Sequence, residues 1–321
     1  MSDGPWLTPE LTREALAALL HQHALGELQS VSQLSGDGDR ALLQVNGQLV
    51  VKLARRDAET RDLQMEAVLF RRLHHATDVP CPEVLVHDPS RDTVPFAALI
   101  SRRPEGVAGT TVWPNLDLPT REHISEELGR LCASVHGLHW PVYGSLFSTG
   151  PVDARSARWA DIVNSKIANM YHIAEQRGLL PLQTLDDLVT TLNDGDAVFD
   201  RPSLPTLVHA DLGLGNVVLR QNHAQWHVAA ILGWEHSLVA DAAWEFATPW
   251  RDPAEALPLA DSFMYGYKER RPLQEDLRVR QRLYRLMRLF EQLIVTADQS
   301  GTTEERKHTL QATIERLLKP R

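Results

Sequence analysis

Apolar positions fall into two regimes along the chain. Toward the N-terminus they mark short, mostly β-like runs with two helical interruptions. Thr8-Pro9-Glu10 opens a predicted helix through about Leu20, with Thr8 as N-cap, Pro9 in the first turn and Leu11, Ala15, Leu16, Leu19 and Leu20 at helical spacing. Strands are predicted over 28–34, 41–45 and 48–53, the last two joined by Asn46-Gly47, a tight-hairpin signal. A second helix, about 57–75, presents Leu63, Leu69, Phe70 and Leu73 on one face. Residues 83–87 and 95–102 read as further strands before Arg103-Pro104-Glu105-Gly106 breaks the pattern. That break divides the chain into 1–103, β-rich, and 104–321, mainly helical.

Beyond it, apolar residues recur every three or four positions. Helices are expected over 121–139, 157–176, 185–199, 257–267, 276–297 and 303–318. His136, near the apolar face of the first, reads as a core or hydrogen-bonded histidine. Arg278, Arg282, Arg285 and Arg288 fall largely off the stripe of their helix and read as a surface or salt-bridged face. The exception to the helical pattern is 207–246, where Val217-Val218-Leu219 and 228–232 read as a hairpin around a polar turn, 221–225.

Bulk properties narrow the function classes. A chain of 321 residues with 43% hydrophobic content can bury a large core, as two domains or one two-lobed unit. A net charge of −9 argues against a nucleic-acid surface. It could draw a cationic partner, toward which Asp186, Asp187, Asp194 and Asp196 are candidates, although acidic runs commonly serve only solvation. The two cysteines, Cys81 and Cys132, allow neither a disulfide framework nor a cysteine zinc site, so a reducing cytoplasm is expected. The opening Met1-Ser2-Asp3-Gly4-Pro5-Trp6 has no signal-peptide pattern, and no apolar run has membrane-spanning length, so no membrane association is expected. H-E-x-x-H, G-x-x-x-x-G-K-[ST] and G-x-S-x-G are all absent. The sequence leaves the oligomeric state open.

Chemistry concentrates in His209-Ala210-Asp211, followed five residues later by Asn216 at the mouth of the hairpin. A carboxylate and an amide at this spacing suit phosphoryl transfer: the Asp takes a proton from an attacking hydroxyl, and the Asn holds magnesium on the nucleotide phosphates. With Ile231, Trp234 and Asp241, this stretch resembles the aminoglycoside phosphotransferase and choline kinase-like family, whose pattern is roughly H-G-D-x-x-x-x-N, a hairpin, I-D-W and a G-D-P-like turn. The resemblance implies an α+β, bilobal protein-kinase-like fold: a small antiparallel-sheet lobe and a larger, mainly helical lobe. It implies ATP and Mg²⁺ as cofactors and a small-molecule hydroxyl as acceptor.

The resemblance also assigns residues. Asp211 is the expected catalytic base and Asn216 a metal ligand. Ser35, Gly36 and Gly38 form the loop expected over the phosphates, where small residues let backbone N–H groups approach. Lys52, inside an apolar strand, is expected to grip the phosphates, held by Glu66 from the apolar face of the next helix. A lysine on such a strand is costly to bury unpaired; the alternative is an edge lysine beside a solvated Glu66. Asp241 is expected to brace the lobe. At Gly233 the chain departs from the pattern, since the family carries a metal-binding Asp there. Two readings stay open: Glu235, on the same side if 233–235 is extended, replaces that ligand, or the protein is a catalytically impaired binder of nucleotide or metabolite. Transfer of AMP on the same fold is a third.

Overall fold

In the computed structural model the first regime forms one antiparallel sheet of five strands in the order β1-β2-β3-β5-β4. These are β1 (Val31–Gly36), β2 (Arg40–Val45), β3 (Leu49–Ala54), β4 (Val84–Asp88) and β5 (Ala97–Arg102). The structure describes residues 11–36, 40–147, 155–201, 203–247, 259–298 and 304–319. Asn46 and Gly47 close the β2–β3 hairpin with φ of 51° and 69°, the left-handed pair that matches strand twist in a type I′ turn.

Side chains alternate across the sheet. Leu49, Val51 and Leu53 of β3 pack against Leu16, Leu19 and Leu20 of α1 (Arg13–Gln22). The opposite face, with Ala54, Ala97 and Leu99, meets Leu63 and Ala67 of α2 (Asp57–Ala76). Helix α1 starts later than its sequence predicts: Thr12 is the N-cap, its hydroxyl accepting the Ala15 N–H at 3.1 Å. Thr8 and Pro9 lie outside the described residues. Leu69, Phe70 and Leu73 of α2 belong instead to the core of the second lobe, so α2 ties the lobes together.

The second lobe contains short strands β6 (Val107–Ala108), β7 (Tyr143–Ser145), β8 (Arg155–Ser156) and β9 (Thr206–Val208), the hairpin β10 (Val217–Asn222) and β11 (Gln225–Ile231), and β12 (Leu238–Ala240). Its helices are α3 (Gly109–Val112), α4 (Leu118–Val135), α5 (Trp159–Arg177), α6 (Leu182–Asn193), α7 (Asp196–Phe199), α8 (Ala260–Lys268), α9 (Leu277–Asp298) and α10 (Glu304–Leu318). The helix expected over 185–199 is thus two, interrupted at Asp194-Gly195, where glycine weakens helix continuity. The hairpin turn is tighter than expected, with His223 and Ala224 at φ of 46° and 68°.

Past Arg102 the chain does not hang free as a linker. Arg103 donates its N–H to the Gln48 carbonyl at 2.7 Å, and β6 pairs with β10 as a third strand beside the hairpin. Gly106, at φ 139°, makes this approach possible: a Cβ there would sit 2.5 Å from the Leu219 carbonyl oxygen. The arginines of α9 also divide. Arg278, Arg282 and Arg285 are exposed, whereas Arg288 is buried and takes the salt-bridged alternative, 3.3 Å from Glu291. Arg280, Tyr284 and Arg288 follow one another at i, i+4 on the face turned toward Asp241 and the 209–211 segment. Among the described residues no helix is long and apolar enough to cross a membrane.

Candidate active site

Strand β9 delivers the chain into His209-Ala210-Asp211, and the surrounding groups fix this segment by its backbone. Glu245, buried in the turn Ala242–Ala247, accepts the His209 N–H at 2.6 Å and the Ala210 N–H at 3.1 Å. Arg288 donates to the Ala210 carbonyl at 3.0 Å. Held from both sides, Ala210 keeps a left-handed φ of 64°, which costs an alanine about 1–2 kcal/mol. His209 Nε2 lies 2.7 Å from the Leu232 carbonyl, which can only accept, so Nε2 carries the proton. Nδ1 is then free to accept the Asp211 N–H at 3.2 Å. Trp234 closes over the imidazole at 4.7 Å between ring centres and donates its indole N–H to the Ile231 carbonyl at 2.8 Å.

Burial opposes ionisation of Glu245, but His136, His209 and the backbone N–H bonds outweigh it and hold the carboxyl below its ordinary value. His136 is fully buried beside it, bonded through Nδ1 to the Tyr267 hydroxyl at 2.9 Å. Asp241 is equally buried; it receives the Tyr284 hydroxyl at 2.7 Å, the Ala243 N–H at 3.1 Å and the Arg280 guanidinium. Sequence reasoning named Asp241 as a brace but missed the anchoring by Glu245 and Arg288. The signal available was a charged residue inside each of two apolar runs, Trp244-Glu245-Phe246 and Leu286-Met287-Arg288-Leu289.

Asn216 ends the turn Leu214–Asn216 just before β10. Its amide donates to the Asp211 carbonyl at 2.7 Å and to the Asp211 carboxylate at 3.0 Å. The carboxylate and the amide picked out by spacing therefore touch. Across the cleft, Lys52 donates to Glu66 at 2.5 Å. Lys52 faces α2 because β3 alternates, and Glu66 is buried on α2. Burial works against the ammonium, but Glu66 first and Glu235 second offset it and hold Lys52 above the ordinary lysine value. Ser35, Lys52, Glu66, Phe147, Glu235 and His236 line one cavity of about 630 Å³. Gly36 ends β1 one residue after Ser35, and Gly38 lies outside the described residues.

The segment after the hairpin differs from expectation. Residues 233–235 are not extended: Gly233 is left-handed at φ 78° and caps a single turn, Trp234–His236. Burial of the Trp234 ring forces this turn, and it leaves Glu235 exposed toward the lysine cavity. A Cβ on Gly233 would lie 2.5 Å from both Cγ and Oδ1 of Asn216, so the Asn216 side chain fills the space a residue here would need. Oxygen donors of the kind magnesium takes remain in Asn216 Oδ1 and the Glu235 carboxylate. Asp186, Asp187 and Asp194 do not line this cavity: Asp186 receives the Tyr171 hydroxyl, Asp187 the Gln183 amide, and Asp194 is exposed. The Asp196 side chain lies outside the described residues.

Solved structures of similar shape are kinases of small molecules by their descriptions. The ADP-bound aminoglycoside phosphotransferase APH(2'')-Ib matches with a TM-score of 0.66 at 18% identity, over 96% of this chain and 97% of that one. A Thermobifida fusca protein assigned as a fructosamine-3-kinase matches with a TM-score of 0.66 at 21% identity, over 94% and 98%. A thermostable mutant of APH(4)-Ia matches with a TM-score of 0.65 at 18% identity, over 94% and 97%. A search of curated proteins for sequence relatives gave no match. The model of the phosphotransferase enzyme family matches residues 22–277. With that match over most of its length and a bilobal, protein-kinase-like fold, the chain belongs to the phosphotransferase enzyme family.

Proposed function

We propose that the protein transfers the γ-phosphoryl group of ATP to a hydroxyl of a small molecule. The observation that supports this reading is a cavity lined by Lys52, Glu66 and Glu235, with Gly233, two residues before Glu235 in the chain, packed on the Asn216 that bonds Asp211. Residues 1–103 bind the nucleotide, and 104–321 carry the catalytic residues and the acceptor. Asp211 takes the proton as the acceptor oxygen attacks the γ-phosphorus. The bond to the bridging oxygen then breaks and ADP leaves. Lys52, kept charged by Glu66, holds the phosphates, with Ser35, Gly36 and Gly38 over them. Asn216 Oδ1 and Glu235 would hold Mg²⁺, which when bound would neutralise phosphate charge. Aminoglycosides, amino alcohols and sugars are the acceptor classes to try, cationic ones included, and the reaction is placed in the cytoplasm, where ATP is supplied.

The rival reading, a nucleotide-binding protein without turnover, is favoured by Gly233, which supplies no carboxylate and leaves no room for one while Asn216 stays in place. The discriminating experiment identifies the nucleotide product in a screen of hydroxyl compounds. ADP release that depends on acceptor and on Asp211 supports the kinase. AMP transfer or AMP release indicates a different reaction, and nucleotide binding without any product supports the rival.

A further inference from the structure

Away from the cleft, helix α4 places His123 and Glu127 one turn apart on one face, and β11 crosses that face. Glu127 accepts the Val228 N–H at 3.0 Å, which fixes the neighbouring His227 against it, Nδ1 3.8 Å from Glu127 Oε2. The two imidazoles meet edge to face, 5.5 Å between centres at 81°. One ligand atom each from His123, Glu127 and His227 lies within 4.8 Å of the others, and all three residues are half-buried. Gln225 Nε2 lies 3.1 Å from His123 Nε2 and donates to it, so the amide must swing aside before that nitrogen can take a metal.

We propose that these residues form a site for a divalent transition metal, zinc by preference. Two imidazoles and a carboxylate, with a fourth position open to water, form a donor set that zinc takes. Ligands on one tetrahedral zinc lie about 3.3 Å apart, so rotation of the His123 and His227 rings closes the remaining gap. The ion would rivet the β10–β11 hairpin to α4. It would not be the ion of the nucleotide cleft: His227 pairs with Arg220, four residues along β10 from Asn216, about 13 Å at strand rise. The site stands or falls independently of the kinase reading.

The test uses the full chain, stripped with chelator and titrated with Zn²⁺, then separately with Co²⁺ as a spectroscopic probe. The expected result is one tight zinc per chain, a rise in Tm of about 2–5 °C at a hundredfold excess over Kd, and a visible Co²⁺ band that zinc removes. Saturating Mg²⁺ and ATP should leave this zinc in place. His123→Gln and His227→Gln should each weaken binding by at least tenfold and lose the Co²⁺ band, while melting like the parent in chelator. Zinc binding unchanged in both variants, displaced by Mg²⁺–ATP, or absent from the parent overturns the proposal. A variant that melts low without metal is replaced by Glu127→Gln, for which the same two outcomes decide.

Discussion

Asp211 and Gly233 carry the two decisive residue-scale predictions. Asp211 touches Asn216 through a side-chain bond of 3.0 Å that Asn can imitate in shape but not in basicity. Asp211→Asn should therefore lower kcat by roughly 10²–10⁴ with nucleotide affinity nearly unchanged. Steady-state rates beside a nucleotide titration check this, and full activity would remove the proposed mechanism. At Gly233, any side chain must displace Asn216 and adopt φ 78°. Gly233→Asp should cost about 2–3 kcal/mol, the sum of left-handed strain and a lost hydrogen bond, and should gain little turnover if Glu235 already holds the metal. Glu235→Gln should then remove most Mg²⁺-dependent turnover. A large gain in Gly233→Asp, with Glu235→Gln silent, would show instead that the missing carboxylate was never replaced.

At the scale of elements, the 209–211 segment depends on the turn Ala242–Ala247 and on α9, neither of which is near it in sequence. Glu245 is ionised and buried, accepting two backbone N–H groups. Glu245→Gln turns one acceptor oxygen into a donor facing an amide, so a loss of about 2–3 kcal/mol is expected. Its folded pKa lies below the unfolded value of about 4.3. The stabilisation is therefore complete above that pH and is lost as pH falls through the folded value. Thermal melts should show the gap between parent and variant at neutral pH and its narrowing in acid; a constant gap would contradict the ionised anchor. The Lys52–Glu66 pair behaves oppositely. The raised Lys52 value keeps its contribution whole below about pH 10.4 and removes it only as pH rises through the folded value. Lys52→Ala and Glu66→Ala should weaken ATP use non-additively, which a double-mutant cycle measures.

For the whole molecule, the join between lobes is a packed core rather than a hinge of loose chain. Cys81 sits there among Leu69, Phe70 and Leu73, its thiol pushed up to about 12 by burial, while Cys132 is buried in the second lobe and burial raises its thiol well above the ordinary cysteine value too. Thiolate is the reactive form. Neither cysteine should react with iodoacetamide in the native protein, and both should react together on unfolding, as intact mass shows. Early labelling of Cys81 alone would mean that the lobes separate before either melts.

Hydrophobic period, turn chemistry and one spaced motif were enough to place the strands of the first sheet, the Asn46-Gly47 hairpin, most helices and the candidates Lys52, Glu66, Asp211 and Asn216. Each of those signals is local: it depends on residues a few positions apart. What the sequence could not decide depends on contacts between distant segments. Gly106 admits the Leu219 carbonyl from 113 residues away. Arg288 and Glu245 turn inward because they meet the 209–210 backbone from 78 and 36 residues away. Gly233 shows the division most clearly. Its sequence marks a missing carboxylate, but only the fold reveals that Asn216 occupies the vacated space and that burial of Trp234 bends Glu235 out of line with it.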